Sequence, residues 1–521
     1  MPETHPGKRS DRLVLLGLLA VTITLYLLLC NIPLYGDAWG YGYRSAAWMA
    51  DNGLQPIPAG PGRGEQAMGH PPLFFWLWAV LITILGGGLH VAHLLPAAAT
   101  FFALWGTYRL TLLLSRCRAT AIAASAALLA TPIFLANSMN PLPEVAAAAA
   151  ATWTLLFYAR GRPAAAALTA ALAVALREQA VLLPAVLVAV ELLHGGWRRP
   201  GRLLLLASPA AVLLLNGLAY LLVNGYFFFG THVGGPEAAA PSYLQDRFRG
   251  FFGFLFAEGW RWVPVTVAAA LSAGRRRNSA LFVLLLLSPA ILHPPGRILW
   301  LAAVAAAAVL WLHRRGMPGD GAATLAFPVA TGLFFVLVII VSPSPLDLYR
   351  YLLLAVPAVV AGALAVVRRT GGRRMALLVG GLFAVLALGA NRSAASVDQP
   401  ESNLAWVRGQ LALRDAVRYT AKTGDTLLVS QLHLQKLSDP GLGYVEGPVA
   451  GRDILAPLDP GACYTAVIGQ RSPQERALAD TITAWYSSTH SMRLDTVIRR
   501  GSFEINVYRM PPGGGVPVSP R

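Results

Sequence analysis

Long apolar runs dominate the first 390 residues and predict helices that cross a membrane. They occupy 13–34, 71–86, 90–114, 119–137, 144–159, 163–176, 179–194, 203–223, 259–273, 279–293, 297–312, 323–342, 351–367 and 375–390. The first follows Lys8, Arg9 and Arg12, is too long for a signal-peptide core and lacks a small-residue cleavage site, so it predicts a membrane helix that starts inside. From Asn391 the pattern becomes that of a soluble domain. Helical spacing over 405–421 and 474–485, short apolar strands at 426–430 and 464–469, and a hairpin of 494–499 with 503–508 across Arg500-Gly501 predict an α/β unit over 391–510. Residues 511–521 are expected to be a disordered tail.

Charge adds direction. Basic clusters stand at Arg109/Arg116/Arg118, Arg160/Arg162, Arg198/Arg199/Arg202, Arg275 to Arg277, Arg314/Arg315 and Arg368/Arg369/Arg373/Arg374. If all are cytoplasmic, each neighbouring pair is separated by an even number of spans. Between the first helix and Arg116 the runs 71–86 and 90–114 leave room for only one crossing. The run 71–86 starts at Pro71-Pro72, ends in Gly86-Gly87-Gly88, and would rise only about 24 Å against a hydrocarbon core of about 30 Å. It is therefore expected to dip into the outer leaflet within an outer loop 35–89. The expected fold is a polytopic α-helical membrane protein over 1–390, with about 13 transmembrane helices and a cytoplasmic N-terminus, followed by a C-terminal soluble α/β domain outside.

Composition agrees. Hydrophobic residues make up 55% of the 521 and charged residues only 13%, where a globular chain carries about 25% charged. Of the net charge of +17, fifteen belong to the first 390 residues and two to the rest. Basic residues gathered in short clusters between apolar runs argue against a nucleic-acid partner. Cys30, Cys117 and Cys463 have neither metal-ligand spacing nor an obvious disulfide partner.

Ionisable groups at the edge of lipid are costly and so mark candidate chemistry. The parity scheme puts most carboxylates outside. Asp37, in Leu34-Tyr35-Gly36-Asp37-Ala38-Trp39 just after the first span, either caps a helix starting at Ala38 or acts on a substrate held between lipid and water. Glu144 opens the fourth span in Asn140-Pro141-Leu142-Pro143-Glu144, where a first-turn carboxylate also suits the helix dipole. Arg177-Glu178 sits where two short spans meet and could be a local ion pair. His70, in Gly69-His70-Pro71-Pro72-Leu73, presents an imidazole at the start of the dipping helix, as a structural hydrogen-bonder or as a catalyst. Outward arginines, among them Arg177, Arg297 and Arg350, oppose the positive-inside trend and need acidic partners or an anionic ligand such as a lipid phosphate. Arg350, preceded by Tyr349, either serves such a ligand or pairs with Asp347.

Taken in order, an Asp after the first span, His-Pro-Pro-Leu at a short helix, a second carboxylate about 107 positions after the first, and Arg-Tyr-Leu-Leu entering a late span resemble one family. The chain is similar over roughly 10–390 to the membrane GT-C glycosyltransferases, in the group (glycosyltransferase family 39-like) that holds protein O-mannosyltransferases and the aminoarabinose transferase of lipid A. The resemblance implies a donor with one sugar on a polyprenyl phosphate, used on the outer face of a bacterial-type plasma membrane with inversion at the sugar carbon. It implies Asp37 as general base, with Glu144 and His70 beside it in the catalytic set. Arg350, Arg177 and Arg297 would meet the donor phosphate, and Glu178 and Tyr349 are further candidates. The acceptor is left open between lipid, glycan and protein. Many members have Asp-Glu where this chain has Asp37-Ala38, and an Asp where it has Glu144, so no metal site is assigned and a divalent metal remains an open question. A competing class is a transporter or lipid flippase with an outer sensor domain, for which paired repeats and midplane charges would be expected but are not visible in the sequence.

Overall fold

The computed structural model describes residues 8–57, 70–193, 196–227, 260–273, 349–391, 404–422, 426–429, 437, 439–453, 464–470, 493–500 and 503–510. The runs expected at 279–342, the helix expected at 474–485, Asp347 and Arg297 lie outside them. The membrane-type part is helical: α1 (Lys8–Leu29), a π-helical turn (Ala38–Tyr43), α2 (Arg44–Asp51), α3 (Leu73–Leu85), α4 (Leu89–Ser115), α5 (Arg118–Ala130), α6 (Pro132–Asn137), α7 (Glu144–Ala159), α8 (Pro163–Leu176), α9 (Leu182–Leu193), α10 (Pro200–Ala207), α11 (Ala210–Asn224), α12 (Trp262–Ala273) and α13 (Val356–Ala390). Prolines explain where single apolar runs become two helices, because a proline has no N–H to donate and its ring crowds the preceding turn. Pro132 divides the run 119–137, and Pro209 bends α10 against α11 by 41°.

By length and composition three helices among the described residues could cross a membrane, Ser10–Leu29, Leu89–Ser115 and Val356–Ala390, and the bent α10–α11 pair adds a fourth. The helix Val356–Ala390 is two arms. At Gly372 the backbone takes φ 86°, ψ 177°, a conformation only glycine adopts readily. A Cβ on Gly380 would lie 3.5 Å from Leu364 Cδ1, whereas in one straight helix these positions would be about 24 Å apart. The chain therefore reverses at Gly372, and the runs 351–367 and 375–390 pack against each other.

Side-chain bonds fix which ends of the bundle meet. At one end Asp11 accepts from the Tyr108 hydroxyl at 3.0 Å and faces Arg118 Nε at 3.4 Å, while Arg369 Nε donates to the Leu114 carbonyl at 2.7 Å. Basic clusters from three distant segments thus share one level. At the other end the Tyr26 hydroxyl donates to His90 O at 3.2 Å, and His93 Nε2 meets Ile32 O at 2.9 Å. α1 and α4 are therefore antiparallel, and the chain between them leaves and returns at the same end. Within that stretch α3 has 13 residues, a rise of about 20 Å.

The C-terminal unit is a five-stranded sheet in the order β2-β1-β3-β5-β4, with β1 Thr426–Val429, β2 Gly451–Asp453, β3 Tyr464–Gln470, β4 Arg493–Arg500 and β5 Phe503–Met510. β1 is parallel to β2 and β3, while β5 is antiparallel to β3 and β4, with Arg500 opposite Phe503 at the hairpin end. The helix α14 (Leu404–Ala421) covers the sheet through Ala412, Ala416 and Val417 against Leu427, Ile505 and Val507. Its other contacts tie it to the bundle: Val407 packs with Ile32, Tyr35, Leu135 and Met139, and Arg414 donates to Asn31 O at 2.9 Å.

Candidate active site

At the end of the bundle away from the basic clusters, the chain leaves α1 through Pro33, and Gly36 at φ +55° turns it into the π-helical turn. Asp37 stands at the N-cap position of that turn, yet its side chain makes no capping bond. The carboxylate instead forms an ion pair with Arg350, so of the two readings open for Asp37 the capping one is not realised. A charged guanidinium attracts a carboxylate more strongly than a neutral backbone N–H does, which is why the cap loses. π-helical turns of this kind are rare and gather at functional sites.

Arg350 enters from the 3₁₀ turn Tyr349–Leu354 that leads into α13. Its planar fork spans two carboxylates: Nη2 meets Asp37, and Nε lies 3.2 Å from Glu144 Oε1. Glu144 in turn lies 3.5 Å from Arg177 Nη2. Arg177 is in extended backbone (φ −152°) between α8 and the 3₁₀ turn Glu178–Val181, and Glu178 meets His70 Nδ1 at 3.0 Å. Six residues singled out in the sequence, Asp37, Glu144, Arg350, Arg177, Glu178 and His70, thus belong to one neighbourhood. The adjacent Arg177 and Glu178 each have a close ion-pair partner elsewhere in the chain. Arg350 is held by partners from two remote segments. Tyr349 supplies the first backbone position of its 3₁₀ turn.

Burial grades this set. The side chains of Glu144 and Arg177 are each 1% exposed and that of Arg350 5%, whereas that of Asp37 is 42% exposed. Asp37 is the mouth of the network and Glu144 its floor. Glu144 has the α7 dipole and two guanidiniums to offset its desolvation, the compensation that a buried carboxylate requires. For Glu178 burial works against the ionised form, but the charges of His70 and then Arg177 outweigh it and hold the carboxyl below the usual carboxylate range.

Two aromatic residues that the sequence did not single out complete the surroundings. The Tyr41 ring lies 5.7 Å from that of His70, and the Tyr220 hydroxyl donates to the His70 carbonyl at 3.0 Å. Both look like ordinary core in an apolar sequence; only the polar atom at the end of Tyr220, midway along α11, hinted at a partner. Among the described residues no three His, Cys, Asp or Glu side chains are grouped to hold a metal ion. The arrangement can present one accessible carboxylate beside a guanidinium that is fixed from behind.

No family model matches the chain, and no curated protein does. Among solved structures, ArnT from Cupriavidus metallidurans bound to undecaprenyl phosphate is 17% identical, with 94% of this chain and 97% of that chain covered and a TM-score of 0.40. The apo state of the same protein is 18% identical, with 96% and 98% covered and a TM-score of 0.40. The Archaeoglobus fulgidus oligosaccharyltransferase in the apo form is 15% identical, with 88% of this chain and 63% of that chain covered and a TM-score of 0.44. At these identities and TM-scores the likenesses are loose ones.

Proposed function

We propose that the chain is an inverting glycosyltransferase of the GT-C type, moving one sugar from a polyprenyl-phosphate donor to a lipid, glycan or protein hydroxyl on the outer face of the plasma membrane. The observation that carries this reading is the ion chain Asp37–Arg350–Glu144–Arg177, which ends in an accessible carboxylate. In the proposed reaction the acceptor oxygen attacks the anomeric carbon while Asp37 takes its proton. The carbon–oxygen bond to phosphate breaks, and the polyprenyl phosphate leaves with the electron pair. Arg350 is poised to meet the extra negative charge on that phosphate, and the pull of Glu144 on its Nε side fixes the fork in place. Glu144 thereby serves as a positioning group. Arg177 holds Glu144, and His70 with Glu178 props the entrance to α3. Arg297 is a further candidate for the phosphate.

The same reading includes thirteen spans, a cytoplasmic N-terminus, α3 confined to the outer leaflet and an outer C-terminal domain. The transporter reading is less well supported, because the ion chain sits at the first turn of α7 and just past the end of α8, away from the middle of the helices. The deciding experiment incubates the purified protein with undecaprenyl-phosphate sugars and with acceptor fractions from envelopes of cells lacking the gene, and follows release of undecaprenyl phosphate and gain of sugar mass. Transfer with at least one donor supports the enzyme. No transfer with any donor, together with movement of labelled lipid or solute across liposomes, would support the transporter instead.

A further inference from the structure

Besides the contacts of α14 with Asn31, Ile32 and Tyr35, the C-terminal unit reaches both sides of Asp37 through a loop. The Leu34 N–H donates to the Leu442 carbonyl at 3.0 Å, and the Leu34 carbonyl accepts from the Tyr444 hydroxyl at 3.0 Å. Both backbone polar groups of a fully buried residue, three positions before Asp37, are thus held by a segment more than 400 residues away. Tyr444 is itself fully buried and lies 2.7 Å from the side-chain amide of Gln410 on α14. On the other side of Asp37, at the end of the π-helical turn, Tyr43 hydrogen-bonds Asp439, and burial followed by that carboxylate pushes the Tyr43 hydroxyl up to about 12. Asp439 also accepts from the Gly441 N–H at 2.8 Å, which shapes the 3₁₀ turn Pro440–Leu442. A Cβ on Gly441 would overlap the Tyr43 hydroxyl, so the loop needs glycine there to come this close.

We propose that this loop is a positioning strap, in which Tyr444, through Leu34, sets the place of the Asp37 carboxylate relative to Arg350. The proposal rests on the reading of Asp37 as the base. Tyr35, which donates to Ala136 O at 3.2 Å, and Tyr41 against His70 hold the segment as well, but the anchors at Leu34 and Tyr43 flank Asp37 closely; without them the carboxylate would shift about Arg350 and lose the place from which it meets an acceptor hydroxyl. Displacement of a reacting group by about 1 Å costs as much as 10²-fold in rate.

The test is Tyr444→Phe, which deletes one oxygen and keeps the ring, measured alone and on the Asp37→Asn background. The expected result is a turnover about tenfold lower with donor KM and thermal midpoint little changed, and no further loss in the double variant, because the strap acts through the carboxylate already removed. Unchanged turnover in Tyr444→Phe, with Asp37→Asn inactive, would overturn the strap and leave the base. An equal loss on both backgrounds would show that Tyr444 acts by another route. Normal turnover in Asp37→Asn alone would remove the base and the strap with it. Should Tyr444→Phe fail to fold, Tyr43→Phe cuts the second anchor and is read by the same three measurements, with the same outcomes.

Discussion

Arg350 and Asp37 stand 313 positions apart in the chain and meet in an ion pair, with Glu144 on the other side of the same guanidinium. The fork is used along two directions at once, so a single point charge cannot replace it. Arg350→Lys should therefore fold, keep its charge, and lose either the Glu144 or the Asp37 contact. Steady-state transfer by this variant should show a higher donor KM, a lower turnover, or both. Kinetics equal to the parent would mean that the fork geometry is irrelevant to the reaction.

Glu144 is the costliest member to disturb. Glu144→Gln removes the charge that compensates two buried arginines, and breaking a buried pair from one side typically costs about 3–5 kcal/mol. Thermal unfolding in detergent should show a large drop in midpoint for this variant. Pairing it with Arg177→Met should cost less than the sum of the two single changes, since the second removes a charge that the first left unpaired. Additive losses would indicate that the two side chains are not energetically coupled.

The members of this network were visible in the sequence because charges stand out in apolar surroundings, and each was read with its own local alternative. What could not be read was who meets whom. Spacing suggests Arg177 beside Glu178 and Arg350 near Asp347, which lies outside the described residues, but it gives no sign that Arg177 and Arg350 also reach Glu144 across the fold. The strand positions 426–430 and 464–469 were legible from apolar runs and are observed at Thr426–Val429 and Tyr464–Gln470, whereas the three-residue strand Gly451–Asp453 has no pattern of its own and exists through its pairing with β1. Tyr444 gave no signal at all, because one tyrosine in a loop of the C-terminal unit is unremarkable until its partner Leu34 is known.

Acidity should report on the His70–Glu178 pair. The folded-state pKa of Glu178 lies below its unfolded value of about 4.3, so the ionisation of this carboxyl contributes stability that is present above that value and lost as pH falls from there through the lowered folded value. Glu178→Gln removes this proton linkage. The thermal midpoint of the parent should fall more steeply than that of the variant as pH is lowered below about 4.3. Parallel acid limbs would exclude a stabilising ionised Glu178.

Sidedness can be checked at three glycines where an added Cβ meets nothing within 4 Å: Gly87 before α4, Gly201 in α10 and Gly447 in the C-terminal unit. On a background with Cys30, Cys117 and Cys463 changed to serine, single cysteines at 87 and 447 should react with an impermeant thiol reagent in intact spheroplasts. The one at 201, beside the basic residues Arg199 and Arg202, should react only after permeabilisation. Labelling of position 87 only after permeabilisation would mean that the chain between α1 and α4 is on the cytoplasmic side.

The sharpest test of the chemistry is Asp37→Asn. The change is nearly isosteric, no capping bond is lost because the side chain makes none, and Arg350 retains Glu144. Asp37 is itself half-exposed at the mouth of the network and Arg350 keeps Glu144 when it is neutralised, so the variant should insert and should lose less thermal stability than Glu144→Gln. Donor binding, measured with undecaprenyl-phosphate sugar in detergent, should be unchanged or slightly tighter, since a competing carboxylate next to Arg350 has been neutralised. What disappears is the capacity to take the acceptor proton, so transfer should fall at least ~10²-fold, the low end of general-base effects. A well-folded Asp37→Asn protein that transfers sugar at the parental rate would remove Asp37 as the base and return the accessible carboxylate to a merely structural partner of Arg350.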